Sequence, residues 1–109
     1  MKLVHSPAYR TCRLWVPAKL SKRPDLLARV APIIELVGGC TEYTAYGVDK
    51  NGVEEEVRII ELCAFDPGQK QRELRDLVTK LAQDLIYEFG EDSAMYDAGG
   101  GPYLITQED

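Results

Sequence analysis

The sequence predicts an α+β fold of the ferredoxin-like type, a βαββαβ sandwich in which an antiparallel sheet carries two helices on one face. Segments with strand and helix periodicity follow in the order strand, helix, strand, strand, helix, strand, with an extra C-terminal strand. The Asn51-Gly52 turn joins two strands as a hairpin. The apolar run Val57–Phe65, interrupted by Glu61, is typical of a central strand. Two right-handed crossovers joined by a hairpin produce this topology.

The first half of the chain contains one strand and one helix. Residues Ala8–Val16 alternate, as in a strand with two different faces, and Pro17 ends the strand. A helix is expected to begin near Pro24, which suits the first turn, and to end at Gly38. Pro32 predicts a kink or a shortened helix. The apolar side chains at helical spacing are Leu26, Leu27, Val30, Ile34 and Val37.

The second half contains the hairpin, the second helix and the C-terminal strands. Cys40–Val48 is rich in threonine and tyrosine, which favour a strand. The second helix follows Asp66 and closes at Gly90. Short strands are expected at Ser93–Tyr96 and Pro102–Thr106. The apolar stripe of the second helix is Leu74, Leu77, Val78, Leu81, Leu85 and Phe89.

Length and charge limit the class of protein and of partner. A chain of 109 residues forms a single domain, residues 1–109, in which we expect residues 1–7 and 107–109 to be mobile. The net charge of −5 argues against duplex DNA or an anionic membrane as the main partner. The first residues lack the pattern of a signal peptide, and no apolar run is long enough to span a membrane. These features predict a cytoplasmic protein.

Alternation along the central strands predicts an open sheet face, the face that the helices leave uncovered. The open sheet face is expected to contain Tyr9, Thr11, Arg13 and Trp15 from the first strand. From the third strand it is expected to contain Val57, Ile59, Glu61 and Cys63. This face is too apolar for water, so we expect another copy, a ligand or a partner on it. Arg13 is expected to pair with Glu61, either as an internal salt bridge or as a polar pair that contacts a ligand.

Two further groups are candidates for ligand contacts. Tyr46 is assigned to the open face together with Glu42 and Thr44, where it would stack on a base or simply pack. Consecutive glycines beginning at Gly99 form either a plain turn or a cradle of backbone N–H groups for an anion. The candidate ligand-binding residues are Tyr9, Arg13, Trp15, Tyr46, Glu61, Asp97, Gly99, Gly100 and Tyr103.

Several kinds of site are disfavoured. His5 is the only histidine, which argues against histidine-based catalysis and histidine-ligated metal. The widely spaced cysteines Cys12, Cys40 and Cys63 are expected to be buried, inert thiols. The acidic run Glu54–Glu56 is interpreted as a solvated hairpin end rather than a metal site. The sequence therefore predicts no metal, no cofactor and no enzymatic activity.

Two stretches carry a resemblance: Gly39–Gly47 with Gly52–Val57 and Ile60-Glu61, and Phe89–Met95. Both resemble a loose group of small ferredoxin-like proteins of bacteriophages. The resemblance implies a phage protein acting in the host cytoplasm, and it implies no common activity.

The function expected from these features is a non-enzymatic antagonist of bacterial anti-phage defence. It would sequester a nucleotide-like signal at the open sheet face or at a subunit interface of a homo-oligomer. One alternative is an inhibitor or adaptor that binds a host protein through the acidic surface or a strand edge. The other is a dimeric α+β barrel enzyme, whose facing sheets enclose a cavity.

Overall fold

A five-stranded antiparallel sheet with strand order β2-β3-β1-β4-β5 forms the framework of the protein. The structure is a computed structural model that describes residues 1–107; the part of the predicted mobile tail beyond residue 107 lies outside it. The elements are β1 (Arg10–Pro17), α1 (Pro24–Val37), β2 (Thr41–Val48), β3 (Glu54–Ala64), α2 (Gln69–Tyr87), β4 (Ser93–Asp97) and β5 (Pro102–Thr106). This arrangement confirms the predicted ferredoxin-like fold with an extra C-terminal strand.

The central strands β1 and β3 have the two faces that alternation predicts. On β1, Cys12, Leu14 and Val16 are buried against the helices, and the residues between them are only partly buried. The register places Arg13 opposite Glu61 on the other face. Both central strands therefore present the predicted residues on the open sheet face.

The first helix has clear physical boundaries. It begins at Pro24, and the Arg23 guanidinium donates two hydrogen bonds to the Asp25 carboxylate in the first turn. It ends where Gly38 takes φ of +86° and its N–H donates to the Ile34 carbonyl. Pro32 lies within the helix and does not shorten it.

One hydrophobic core lies between the sheet and both helices. From α2, Leu74, Val78 and Leu85 are almost fully buried. They pack in the same cluster as Leu14 and Leu62 from the central strands. Burial of this size stabilises the fold by about 1.5–3 kcal/mol per large side chain. Within the described residues, no helix is long and apolar enough to cross a membrane.

The three cysteines differ in exposure. Cys12 is buried and Cys63 is partly buried, whereas Cys40 is exposed. The prediction of a buried thiol is therefore wrong for Cys40. The residue precedes β2, an edge strand whose residues are nearly all exposed.

Thiol labelling is expected to separate Cys12 from Cys40. Burial raises the pKa of the Cys12 thiol to about 11, so it holds almost no thiolate at pH 8 and is shielded from reagent. We expect a disulfide reagent to label Cys40 in the native protein and Cys12 only on unfolding. The control is a Cys40→Ser/Cys63→Ser variant, which should show no fast-reacting thiol; rapid labelling of that variant would contradict the assigned burial.

Candidate functional site

Three charged side chains meet on the open sheet face and form what we call the ion cluster: Arg13, Glu61 and Asp97. Arg13 lies between the other two, opposite Glu61 in β3 and opposite Asp97 in β4. Its Nε donates to Glu61 Oε2 at 2.9 Å, and its Nη1 lies 3.8 Å from Asp97 Oδ2. The expected Arg13–Glu61 ion pair is present, and Asp97 adds a second carboxylate.

The guanidinium of Arg13 can donate further hydrogen bonds in addition to these two contacts. Its side chain is 41% exposed, whereas that of Asp97 is only 12% exposed. The hydrogen bond with Glu61 raises the pKa of Arg13, so the group stays charged at every relevant pH. In the described part of the chain its Nη2 has no hydrogen-bond partner. The cluster can therefore offer both a cation and carboxylates to a ligand on the open face.

An apolar cleft adjoins the ion cluster, and we call it the open-face cleft. It has a volume of about 510 Å³, which falls in the range of small-molecule sites. Trp15, Val57, Met95 and Leu104 supply its apolar lining. No member of the ion cluster lines it, but Trp15 follows Arg13 by two positions on the same strand face. A ligand lying in the cleft would therefore end beside the ion cluster.

The far end of the open-face cleft is acidic. Glu55, Glu91 and Asp92 line it with a single ammonium, that of Lys19. Lys19 Nζ lies 3.2 Å from Glu91 Oε2 and is partnered by it. The remaining carboxylates give this end a negative potential, which attracts a cationic ligand.

The turn at Gly99–Gly101, which we call the glycine turn, surrounds the carboxylate of Asp97. Asp97 is only 8% exposed, and its Oδ1 accepts hydrogen bonds from the backbone N–H groups of Gly99 at 2.8 Å and Gly101 at 3.2 Å. The Gly99 amide is therefore already engaged, which argues against the predicted ligand contact there. Gly100 lies at the exposed tip of the turn.

The predicted position of Tyr46 on the open face is wrong. The hydroxyl of Tyr43 donates to Glu61 Oε2 at 3.4 Å, which places Tyr43 on the open face and Tyr46, by alternation, on the other. Tyr46 borders the open-face cleft at the sheet edge. Tyr103 stacks on Tyr96, with ring centroids 5.7 Å apart, and Tyr96 pairs with the buried Leu14 on the helix side.

Other predicted and unpredicted residues complete the open face. Tyr9 is exposed just before β1, on the open side by alternation. Trp15 lines the open-face cleft. Sequence reasoning missed Tyr43 and Met95. Met95 stands two positions before Asp97 in a strand, and this spacing was the signal that could have placed both on one face.

Two solved structures are similar to this protein. A phage SAM lyase in the apo state matches with a TM-score of 0.65 and 19% identity, over 98% of this chain and 98% of that chain. A phage SAM lyase in complex with S-methyl-5'-thioadenosine matches with a TM-score of 0.60 and 17% identity, over 98% of this chain and 95% of that chain. No family model and no curated protein matches the sequence. The chain therefore shares its fold with these structures over nearly its whole length.

This comparison overturns the prediction of a non-enzymatic protein. That prediction rested on the lack of any histidine other than His5, and the solved structures that share the fold are those of a lyase, which is an enzyme. The expectation of a small nucleotide-like ligand is consistent with one of these structures, which contains S-methyl-5'-thioadenosine. The enzyme alternative agrees better with the comparison.

Proposed function

We propose that this protein is a phage lyase that cleaves S-adenosylmethionine on its open sheet face and releases S-methyl-5'-thioadenosine. The observation that carries the proposal is the ion cluster beside an apolar cleft. A zwitterionic amino-acid group needs the charges of the ion cluster, and a nucleoside suits the apolar cleft. The fold shared with the phage SAM lyase structures supports the same assignment.

The chemistry follows from the substrate. S-adenosylmethionine joins an adenosine and an α-amino acid through a positively charged sulfonium. Release of S-methyl-5'-thioadenosine requires cleavage of the bond between this sulfur and the γ-carbon of the amino-acid part, with the electron pair left on sulfur. The reaction removes the positive charge from sulfur, so an apolar environment disfavours the reactant more than the transition state.

The substrate carries its own nucleophile. Its carboxylate oxygen can form a bond to the γ-carbon as the carbon–sulfur bond breaks, giving a five-membered α-amino lactone. No proton moves and no water is consumed, so no histidine is needed. Elimination would instead need a base to remove a β-proton. Glu61 Oε2 and Asp97 Oδ1 already accept hydrogen bonds, so each of these oxygens would have to give up a partner before it could take a proton from the substrate.

Each part of the substrate has a matching part of the site. Arg13 would bind one oxygen of the substrate carboxylate and leave the other to attack. Glu61 and Asp97 would attract the α-ammonium group. The adenosine would lie in the open-face cleft on Trp15 and Met95, which holds the sulfonium near the apolar middle of the sheet. Holding carboxylate and γ-carbon in a reactive geometry is the main contribution that such a site can make.

A second copy of the chain would complete the site. Leu104 is largely exposed and Met95 partly so, although both line the open-face cleft. Covering this face with another subunit would bury these side chains and exclude water from the sulfonium. The homo-oligomer expected from the sequence is therefore part of the proposal, and native mass spectrometry measures it directly.

Replacing Trp15 with alanine is expected to raise KM about 5- to 100-fold, with a smaller effect on kcat. Stacking of a base on an aromatic side chain contributes about 1–3 kcal/mol, and this contribution would be lost. Steady-state kinetics with S-adenosylmethionine measure the change. The matched control is Tyr87→Ala, which removes an exposed aromatic side chain from α2. Equal KM values in the two variants would contradict the placement of the adenosine.

The test of the proposed function is incubation of the purified protein with S-adenosylmethionine, followed by chromatography of the products. We expect S-methyl-5'-thioadenosine to accumulate in proportion to enzyme concentration. S-adenosylhomocysteine is the control ligand, because it lacks the sulfonium and should remain intact. Unchanged S-adenosylmethionine in the presence of correctly folded protein would contradict the proposal.

A further inference from the structure

Arg10 lies on the helix side of the sheet, and we infer that it is a positioning residue for Asp97 on the open side. It would act through a single peptide group, the one that joins Ala98 to Gly99. This inference rests on the proposed function, because Asp97 belongs to the ion cluster that would bind the substrate.

The contacts of Arg10 tie the glycine turn to the second helix. Its Nε donates to Gln71 Oε1 at 2.7 Å, in the first turn of α2. Its Nη1 donates to the Ala98 carbonyl. The arginine is therefore held by the helix and in turn holds the backbone of the turn.

The same peptide group contacts Asp97 from its other end. The Ala98 carbonyl and the Gly99 N–H belong to one trans peptide, so they point in opposite directions. Arg10 occupies the carbonyl end, and Asp97 Oδ1 accepts from the N–H end at 2.8 Å. A cation on the carbonyl polarises the peptide and strengthens its N–H as a donor. Rotation of this peptide would break both hydrogen bonds at once.

Gly99 is the residue that permits this close packing. Its φ is +105°, and a Cβ built there would lie 2.6 Å from Arg10 Nη1 and 3.0 Å from Arg10 Cγ. The glycine therefore lets the turn lie directly on the arginine side chain. The same freedom would let the peptide rotate, so Arg10 is needed to hold one orientation.

The consequence reaches the ion cluster. With Oδ1 fixed by the turn, Asp97 Oδ2 lies 3.8 Å from Arg13 Nη1. A buried carboxylate that loses a donor shifts or recruits another partner, and Arg13 is the nearest cation. Arg10 thereby sets the geometry of a group that it does not touch.

The test is a double-mutant cycle of Arg10→Met and Asp97→Asn, measured as kcat/KM for S-adenosylmethionine. We expect Arg10→Met alone to lower kcat/KM about 10- to 100-fold, as misplacement of a binding group does. In the Asp97→Asn background it should have little further effect. Arg10→Lys should recover part of the activity, because an ammonium can still donate to the Ala98 carbonyl. Equal losses in both backgrounds would overturn the inference and leave Arg10 a merely structural residue.

A second measurement does not depend on activity. Hydrogen exchange of the Gly99 amide, followed by NMR, should accelerate at least about 10-fold in Arg10→Met, because the peptide is released. The Gly52 amide, which donates to the Asp49 carbonyl in the distant hairpin turn, should not change. If the wild type does not cleave S-adenosylmethionine but exchange of the Gly99 amide accelerates in Arg10→Met, the proposed function fails. The inference that Arg10 holds the Ala98–Gly99 peptide, which we call the peptide clamp, is then still supported. An unchanged Gly99 amide would overturn the clamp whatever the activity.

A substitution at the glycine gives an independent variant if Arg10→Met does not fold. Gly99→Ala should lower kcat/KM about 10- to 100-fold, because its Cβ would meet Arg10. Gly38→Ala is the matched control, since Gly38 also has a positive φ, +86°, but a Cβ there would meet no atom within 4 Å. Near-normal activity of Gly99→Ala would overturn the inference.

Discussion

Replacing Arg13 with methionine is expected to lower kcat/KM for S-adenosylmethionine about 10²- to 10³-fold while the protein remains folded. The guanidinium is the only cation in the ion cluster, so its removal deprives the substrate carboxylate of its partner. It also leaves Glu61 and Asp97 without the charge that they share. Truncation of one partner of a buried, hydrogen-bonded charge pair typically costs about 2–5 kcal/mol in binding, and substrate under a second subunit would bury this partly exposed arginine. The effect should appear in both KM and kcat, since the same contact orients the nucleophile.

Two variants control for the Arg13 substitution. Arg13→Lys keeps the charge but loses the geometry of two donors, so it should fall between the wild type and Arg13→Met. Arg72→Met removes the same type of side chain from the exposed surface of α2 and should leave the kinetics unchanged. Similar kinetics in Arg72→Met and Arg13→Met would show that the substitution acts through net charge and not through the site.

Replacing the adjacent Leu14 with alanine is expected to reduce the free energy of unfolding by about 3 kcal/mol. Leu14 points to the opposite face of β1, is 1% exposed and belongs to the core cluster. Leucine-to-alanine changes at such sites cost about 2–5 kcal/mol, because the cavity left behind only partly collapses. Urea unfolding followed by circular dichroism measures the loss as a lower midpoint at an unchanged slope.

The control for Leu14 is Leu27→Ala on the outer side of α1, where the side chain is 44% exposed. Its cost should stay below about 1 kcal/mol. If Leu14→Ala were no more costly than Leu27→Ala, the assignment of the β1 faces would be wrong. Arg13 and Leu14 are neighbours in the chain but lie on opposite faces of the sheet. The two substitutions together therefore test whether a change on the open face lowers kcat/KM and a change on the helix face lowers the free energy of unfolding.

The fold and the side-chain faces of the central strands could be predicted from the sequence, because both depend on which residues are buried. On β1, and on β3 from Ile60 to Ala64, each buried position alternates with a less buried one, so the side-chain pattern determines the face; Ile59, on the open face, is also buried. The edge strand β2 has no such alternation, since seven of its eight residues are exposed. Nothing in the composition of β2 determined which of its tyrosines faces Glu61, and the assignment of Tyr46 to the open face was wrong for that reason.

The details of the site depended on contacts between distant parts of the chain. The glycines indicated that backbone N–H groups could surround an anion, but the sequence could not show that Asp97 is that anion. The sequence does not predict the role of Arg10, because its partners Gln71 and Ala98 lie far from it in sequence. The lack of a histidine other than His5 suggested a protein without enzymatic activity, but the proposed reaction needs no general base, because the substrate supplies its own nucleophile.

The most direct test of the account is a proton NMR time course of S-adenosylmethionine with the wild-type protein and with Arg13→Met. NMR distinguishes the α-amino lactone from its isomer, the vinyl amino acid that elimination would give. We expect the wild type to produce S-methyl-5'-thioadenosine and the lactone in equal amounts, and Arg13→Met to produce both at least about 100-fold more slowly. Intact S-adenosylmethionine with the wild type, or equal rates in the two proteins, would contradict the proposed function.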